Sequence, residues 1–396
     1  MTDLTDWASD YDVFDPAYIA DPYPIWDELR ATCPVAHTER YGGSWLTTTY
    51  EDVTRVARDP AVFSSRNVSV VPPPDDTEAD VLPAGLPPIQ VDPPVHTWTR
   101  RLLLPWFSND RVAAYEPYTR ELCRELLDSF AAIGQADAAA DYAKQIPMRV
   151  IGKMLGVPED MSETFVEWVR SVLEFANDAP RRSKAQIEST TYFLQEMEKR
   201  RHGSGTDLIS ELLRSEVGGE PVPDEFILGT VALILIAGLD TTWSAMGSML
   251  WHLATHPDDT KRLVDEPELL PIAIEEMLRA FSPVTMARIA AEDVELHGCP
   301  VKEGDRVVLN FAAANRDPAA FPEADHVVID RAVNRHLAFG AGIHRCAGSN
   351  LARMELRVAL EEWLARIPTF RLEDGGDVSW AGGQVRGPRQ LPVVFP

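Results

Sequence analysis

Cysteine is scarce in this chain. Cys33, Cys123, Cys299 and Cys346 are the only four in 396 residues. No CxxC pair and no disulfide-dense spacing occurs among them, so neither a zinc framework nor a disulfide scaffold is expected, and the chain reads as cytosolic and reduced. Positive charge is also in short supply, with 37 Lys and Arg against 62 Asp and Glu, a net charge of −25. Such a surface argues against nucleic acid and against anionic membranes. Long apolar runs are missing too. The longest, Phe226 to Leu239, falls short of the ~20 residues of a membrane span and contains Gly229 and Thr230, so it reads as a buried core helix. Met1 to Pro24 is acidic and proline-containing, with neither a signal peptide nor an anchor, and the expected location is cytoplasmic. Repeats and low-complexity tracts are absent.

A length of 396 residues would accommodate two or three domains. No linker separates the motifs described below, so one domain over 1–396 is expected. The Pro-rich stretch Val71 to Pro94 reads as a long loop, because Val81, Leu82, Leu86 and Ile89 punctuate it and it leads straight into a helix.

Helical patterns dominate what is present. They cover Tyr50 to Arg58, His96 to Phe107, Asp110 to Phe130, Tyr142 to Leu155, Glu163 to Ala176, Ser183 to Arg201, Asp207 to Ser215, Asp224 to Thr255, Leu269 to Phe281 and Ser349 to Leu364. Trp45 to Thr48 reads as a short strand, Arg288 to Val308 as paired strands around a turn at Leu296 to Pro300, and Leu391 to Phe395 as a last strand. The expected fold class is mainly α (α+β), with small antiparallel sheets.

The run Phe339-Gly340-Ala341-Gly342-Ile343-His344-Arg345-Cys346-Ala347-Gly348 carries the most chemistry. It sets one cysteine at the end of a glycine-hinged loop, just before a helix, where unpaired N–H groups and the helix dipole favour a thiolate. Gly340 and Gly342 allow a tight turn, and Gly348 lets a flat ligand approach the backbone. A buried thiolate held by N–H donors suits a soft or redox metal, haem iron above all; the bland reading is a buried structural cysteine.

Four further constellations stand beside it. In the long helix, Ile236-Ala237-Gly238-Leu239-Asp240-Thr241-Thr242 puts an acid beside an alcohol after an apolar stretch. Thr241 could bond the Ala237 carbonyl or release it, and Gly238 could give close approach to a ligand; a kinked helix with solvent-facing polar residues is the alternative. Glu276 and Arg279 sit three apart on a helix, with Arg331 a possible third partner, either as a superficial pair or as a brace for the cysteine loop. His96 and Arg100 share a helical face, and with Arg288 and His344 they make a set of cationic donors or a scatter of surface charge. The run Gly383 to Pro388 reads as a turn before the last strand. Arg100, Arg101, Arg111, Arg345 and Arg353 are either a docking patch for an acidic partner or solvated scatter.

Taken together and in order, these motifs resemble the cytochrome P450 superfamily over nearly the whole chain, most densely from Ile236 to Pro392. The cysteine run matches that family's signature throughout, Ala237-Gly238-x-Asp240-Thr241 its oxygen-activating helix, and Glu276-x-x-Arg279 its structural pair. Ala314 to Pro318 and His336 to Gly340 look like the soluble bacterial branch. Met286 to Arg288 and Gly383 to Pro392 look like haem domains found fused to a reductase, although this chain stops at Pro396 and no attached reductase is expected.

The resemblance implies a monooxygenase that inserts one atom of O2 into a small to medium, largely apolar substrate. Cys346 would be the axial ligand of haem b. Ala237, Phe339, Gly340, Ala347 and Gly348 would line the cofactor, and His96, Arg100, Arg288 and His344 would anchor its propionates. Asp240 and Thr241 would guide protons to bound dioxygen, and Glu276, Arg279 and Arg331 would be structural. Leu233, Ile236, Ala237, Val284, Thr285, Gln384 and Val385 would form the substrate pocket, roofed by the loop from Val68 to Gln90 and the connector around Phe175. Electrons would come from NAD(P)H through a ferredoxin reductase and a small acidic ferredoxin docking at Arg100, Arg101, Arg345 and Arg353. A peroxide-driven haem enzyme and a non-catalytic haem-binding recruitment module are the competing readings.

Overall fold

The computed structural model describes residues 6–72 and 82–396. Val81 and much of the expected roof loop lie outside the described residues.

The organising element is the helix Asp224–Thr255. Asp224 and Glu225 in its first turn complement the dipole, and His256, outside the helical region and followed by Pro257, ends it. Its apolar residues face inward on almost every side, as expected of a helix wrapped by others. It is long and apolar enough to cross a membrane, but 72% of that window is buried inside the fold. Helices Gln145–Leu155, Ser162–Leu173, Ala179–Arg200 and Ser349–Arg366 pack around it.

The main sheet has five strands, in the order Val35–Thr38, Ser44–Thr47, Arg306–Asn310, Thr285–Ala290, Phe63–Ser64. Arg288 stands opposite Val307 in the antiparallel pair that the sequence pattern suggests. One pairing departs from the all-antiparallel expectation, because Arg306–Asn310 runs parallel to Ser44–Thr47.

Proline explains most of the shifted helix boundaries. The expected helix His96 to Phe107 tightens to a 3-10 turn at Leu104–Phe107, around Pro105. The expected Asp110 to Phe130 breaks into two, the second opening at Glu116 with Pro117 in its first turn. The connector Asn177 to Pro180 is instead the start of a helix, Ala179–Arg200, with Asp178 capping the Arg181 N–H. Helices Tyr23–Thr32 and Pro257–Asp265 were not anticipated.

Candidate active site

The cysteine loop is held from behind by a buried ion network. Glu276 and Arg279 are both fully buried, and their carboxylate and guanidinium pair at 2.8 Å. Arg279 also donates to the carbonyls of Asn315, Ala324 and His326, and Arg331 donates to Glu276 at 2.9 Å. Glu276 further accepts from the Val328 N–H and from Asn334. Asn315, held by this network, accepts the Leu337 N–H at 2.7 Å, two residues before Phe339. The chain entering the loop is thereby tied down at both its carbonyls and its N–H groups.

Within the loop, Gly340 and Gly342 adopt φ of +67° and +70°. A Cβ on Gly342 would stand 2.4 Å from the Ala57 carbonyl oxygen, so the loop packs directly on the backbone of helix Tyr50–Arg58. The Cys346 N–H donates to the Phe339 carbonyl at 2.8 Å, and the Gly348 N–H donates to the sulfur. The exposed face of Cys346 opens into an internal cavity rather than to bulk solvent. Burial pushes its thiol up, against the pull of the Gly348 N–H and of Arg100, Arg345 and Arg353. A thiolate here therefore calls for a cation at the sulfur.

The cavity measures about 270 Å³ and is mostly apolar. Leu233, Ile236, Ala237 and Thr241 of the long helix line it, as do Val284, Gln384, Val385, Phe339, Gly340, Ala347 and Gly348. Val68, Ser69, Leu86, Pro88, Ile89 and Gln90 contribute the described part of the roof. A second hollow of about 970 Å³ is an open groove beside Cys33 and Cys299, and none of the expected site residues lines it.

Arg100, Arg288 and His344 line the same cavity, and the ring of His96 lies 4.4 Å from that of His344. Burial, followed by Arg288, His96 and Arg100, lowers His344 to about 3. Burial also lowers His96 and takes Arg288 to about 10. Among the described residues, the Nε2 atoms of both histidines are buried without a partner. Two arginine cations beside imidazoles with orphaned nitrogens match a dianion, and the two carboxylates of a haem meet that requirement beside a soft sulfur ligand. The residues present fit haem.

Several expected placements are corrected. Thr285 does not line the cavity. It lies on strand Thr285–Ala290, where successive side chains alternate, so Met286 and Arg288 turn inward and Thr285 turns to a small cleft with Tyr18 and Tyr23. Met286 was missed for the same reason, though strand periodicity could have found it. Phe175 is also off the cavity wall; it stacks under Arg181 at 3.6 Å. Gly238 borders the cavity, yet a Cβ there would meet Ile151 Cδ1 at 2.5 Å, so its smallness serves packing with helix Gln145–Leu155. The long helix stays unbroken, with the Thr241 hydroxyl donating to the Ala237 carbonyl at 2.8 Å.

Asp240 is fully buried and turned away from the cavity, with Oδ1 2.7 Å from Arg389 Nη2. Burial raises its carboxyl against the pull of Arg389. Arg353 is not a free cation of the docking patch, because it makes a two-pronged contact with Glu275 at 2.6 and 2.7 Å and covers the Phe339 ring. Arg111 is paired with Glu211 at 2.9 Å. Arg101 and Arg345 remain exposed, and Arg100 donates to the Arg345 carbonyl.

A glycine-hinged thiol, an apolar cavity walled by one long helix and a buried cationic cluster together define a haem-thiolate oxygenase. The cytochrome P450 family model matches residues 158–378. A mycinamicin IV hydroxylase/epoxidase from Micromonospora griseorubida is 36% identical, the match covering 93% of this chain and 94% of that protein. A vitamin D(3) 25-hydroxylase from Pseudonocardia autotrophica is likewise 36% identical, covering 100% and 99%. The crystal structure of CYP109E1 from Bacillus megaterium in complex with testosterone superposes with a TM-score of 0.88 at 31% identity, covering 95% of this chain and 98% of that one. This chain belongs to the cytochrome P450 family, in its soluble bacterial branch, and is a haem-thiolate monooxygenase that uses O2 on small molecules. All three are matched over nearly their whole length.

Proposed function

We propose that the enzyme hydroxylates, or demethylates at oxygen, a largely apolar small to medium organic substrate, drawing electrons from NAD(P)H through a separate ferredoxin reductase and ferredoxin in the cytoplasm. The observation that carries this reading is the shared cavity, in which the sulfur of Cys346, the cationic cluster and an apolar wall meet. One haem domain spanning 1–396 accounts for the near full-length likeness to its relatives.

Cys346 holds the iron of haem b, while His96, Arg100, Arg288 and His344 hold its propionates. When bound, the haem supplies the oxygen-activating chemistry, with the thiolate favouring O–O cleavage. Ala237, Phe339, Gly340, Ala347 and Gly348 shape its bed. The Arg353 guanidinium covers Phe339, 4.4 Å from its ring centroid. Leu233, Ile236, Val284, Met286, Gln384 and Val385 orient the substrate and exclude water. Relatives named for vitamin D(3) and mycinamicin IV make bulky, mostly apolar skeletons the first compounds to try.

The Thr241 hydroxyl holds a proton at the cavity wall, beside the carbonyl it donates to. Asp240 stands behind it and must leave Arg389 to reach the cavity. Arg101 and Arg345, exposed near the Cys346 side, suit an acidic electron donor.

The test is the reduced protein under carbon monoxide, followed by a screen for compounds that shift the spin state. The absorbance of a sulfur-ligated iron, lost in Cys346→Ser, is the expected outcome; a Cys346→Ser protein with unchanged spectrum and turnover would sink the reading.

A further inference from the structure

The open groove beside Cys33 and Cys299 takes no part in the chemistry above. Cys33 follows the last turn of helix Tyr23–Thr32, and Cys299 opens the second strand of the hairpin Val294–Leu296 and Cys299–Val301. Far apart in sequence, the two thiols reach one atom. Cys33 Sγ donates to the Val35 carbonyl oxygen at 3.5 Å, and Cys299 Sγ donates to the same oxygen at 3.7 Å. Val35 begins the strand at the edge of the five-stranded sheet. Both cysteines are free and partly exposed, and both line the groove.

An S–H group is a weak donor, so both bonds to Val35 are given up at little cost. Two soft sulfurs facing one oxygen, open to solvent, are donors that a soft metal ion can bridge. Their setting is anionic. Asp52 and Glu295 lie within electrostatic reach of Cys299, and Asp6 within reach of Cys33. Arg30 and Arg335 also border the groove, but Arg30 is paired with Asp27 at 2.8 Å. Among the described residues no group of three or more His, Cys, Asp or Glu side chains could hold a metal ion. That excludes a structural zinc site, which takes about four such ligands, and the all-oxygen cages of calcium. Copper(I) is selected by thiolates and is satisfied by two of them. A disulfide would draw the sulfurs to ~2 Å of each other, whereas metal–sulfur bonds of ~2.3 Å leave them on either side of an ion.

We propose that Cys33 and Cys299 form a copper(I) site, a two-sulfur clamp joining the end of helix Tyr23–Thr32 to the hairpin at Cys299. Binding breaks both S–H bonds, forms two copper–sulfur bonds and releases two protons to solvent, with no change of oxidation state. The hairpin is already tied to helix Tyr50–Arg58. Arg55 donates to the Glu295 carbonyl at 2.9 Å, and His297 meets Asp52 at 3.4 Å. A bound ion therefore links three elements at this corner of the fold and stabilises the folded chain by mass action.

The test uses the haem-loaded protein, in which iron occupies Cys346 and Cys123 is fully buried, leaving Cys33 and Cys299 as the accessible thiols. Copper(I) is added without oxygen in competition with bicinchoninate, and zinc(II) is tried in a parallel arm. One copper(I) per chain should be retained, and X-ray absorption at the copper edge should report two sulfur donors. The unfolding midpoint should rise with copper(I). Cys33→Ser and Cys299→Ser should each weaken retention by more than the ~10–100-fold that loss of a supporting hydrogen bond costs a metal site. Each should also abolish the rise in midpoint while leaving the haem absorbance as it was. Undiminished retention in both variants means an adventitious ion only and overturns the proposal. So does a wild-type spectrum dominated by nitrogen or oxygen donors, or zinc(II) held more tightly than copper(I). Recovery of the pair as a copper-free disulfide by intact mass overturns it as well. If a serine variant does not fold, the wild-type spectrum decides: two sulfurs support the clamp, and any other count refutes it.

Discussion

Arg389 and Asp240 form an ion pair sealed inside the protein: Nη2 lies 2.7 Å from Oδ1, the aspartate side chain is wholly buried and the arginine side chain only 8% exposed. The pair joins the strand Pro388–Gln390 to the middle of the long helix. Arg389 also meets Glu174 at 3.0 Å and the Ser244 hydroxyl at 3.1 Å, and it stacks on Trp243. Removing one partner of such a pair strands the other charge.

Arg389→Leu should therefore destabilise the holoenzyme by about 3–5 kcal/mol in denaturant titrations. The variant's Asp240 carboxyl should rise further, since burial already raises it. A group whose folded pKa is raised binds more protons when folded, so the penalty should grow as pH climbs from the unfolded value of the carboxyl. A penalty that is flat with pH would show that Asp240 is not the stranded partner.

Glu275 gives the opposite sign. Burial alone would raise its carboxyl, but the hydrogen bonds from Arg353 and His336 overcome that and hold it at about 2. Its stabilisation is present above the ordinary carboxyl pKa of 4.5 and is lost as pH falls toward 2. Glu275→Gln should cost about 2 kcal/mol near neutral pH, allowing for solvent at this partly exposed pair, and the difference should vanish in acid. Acid titration of both proteins by circular dichroism checks this.

Gly238 and Ile151 should be coupled. Gly238→Ala places a Cβ 2.5 Å from Ile151 Cδ1 and 2.7 Å from Cγ1. Overpacking of that kind costs about 1–3 kcal/mol, against which the helix recovers roughly 1 kcal/mol of propensity. Ile151→Ala alone should also be costly, but the double variant should be more stable than the sum of the two, because alanine deletes both clashing carbons. Strict additivity would mean that Gly238 is small for another reason.

The arginines on the Cys346 side should separate by role. Arg345→Glu should slow electron transfer from an acidic donor several-fold at low salt and flatten its salt dependence. Arg353→Leu should instead loosen the cysteine loop, since Arg353 is spent on Glu275 and on Phe339. Haem retention under mild denaturant and stopped-flow reduction tell the two apart.

Glu276→Gln should lower stability by about 3–5 kcal/mol, because Arg279 would keep a full charge with no exposure. Haem loss should accompany it, as Asn315 and the Leu337 N–H lose their anchor. Reconstitution with excess haem should restore the carbon monoxide absorbance without restoring the melting temperature.

Local chemistry made much of this legible from residues alone. The expected range of the long helix, Asp224 to Thr255, agrees with the structure. The cysteine loop, with glycines at positive φ before a helix start, is a contiguous motif whose geometry depends on few distant contacts. Paired strands around the turn at His297 and Gly298 follow from alternation and turn residues. Boundaries failed where Pro117 opened a second helix inside an expected continuous one, and where Pro180 opened a helix rather than belonging to a connector.

Within the site, the sequence by itself determined which chemistry is possible: a thiol at a hinged loop, an alcohol and an acid on one helix, and a set of cations with no anion of their own. Which of those groups meet was decided by the tertiary structure. Strand alternation chose Met286 over Thr285, Arg389 from the far end of the chain turned Asp240 away from the cavity, and Glu275 took Arg353 out of the surface patch. The reason is physical. A side chain's pKa and partners depend on burial and on charges far away in sequence, and residue spacing within one segment carries no record of either.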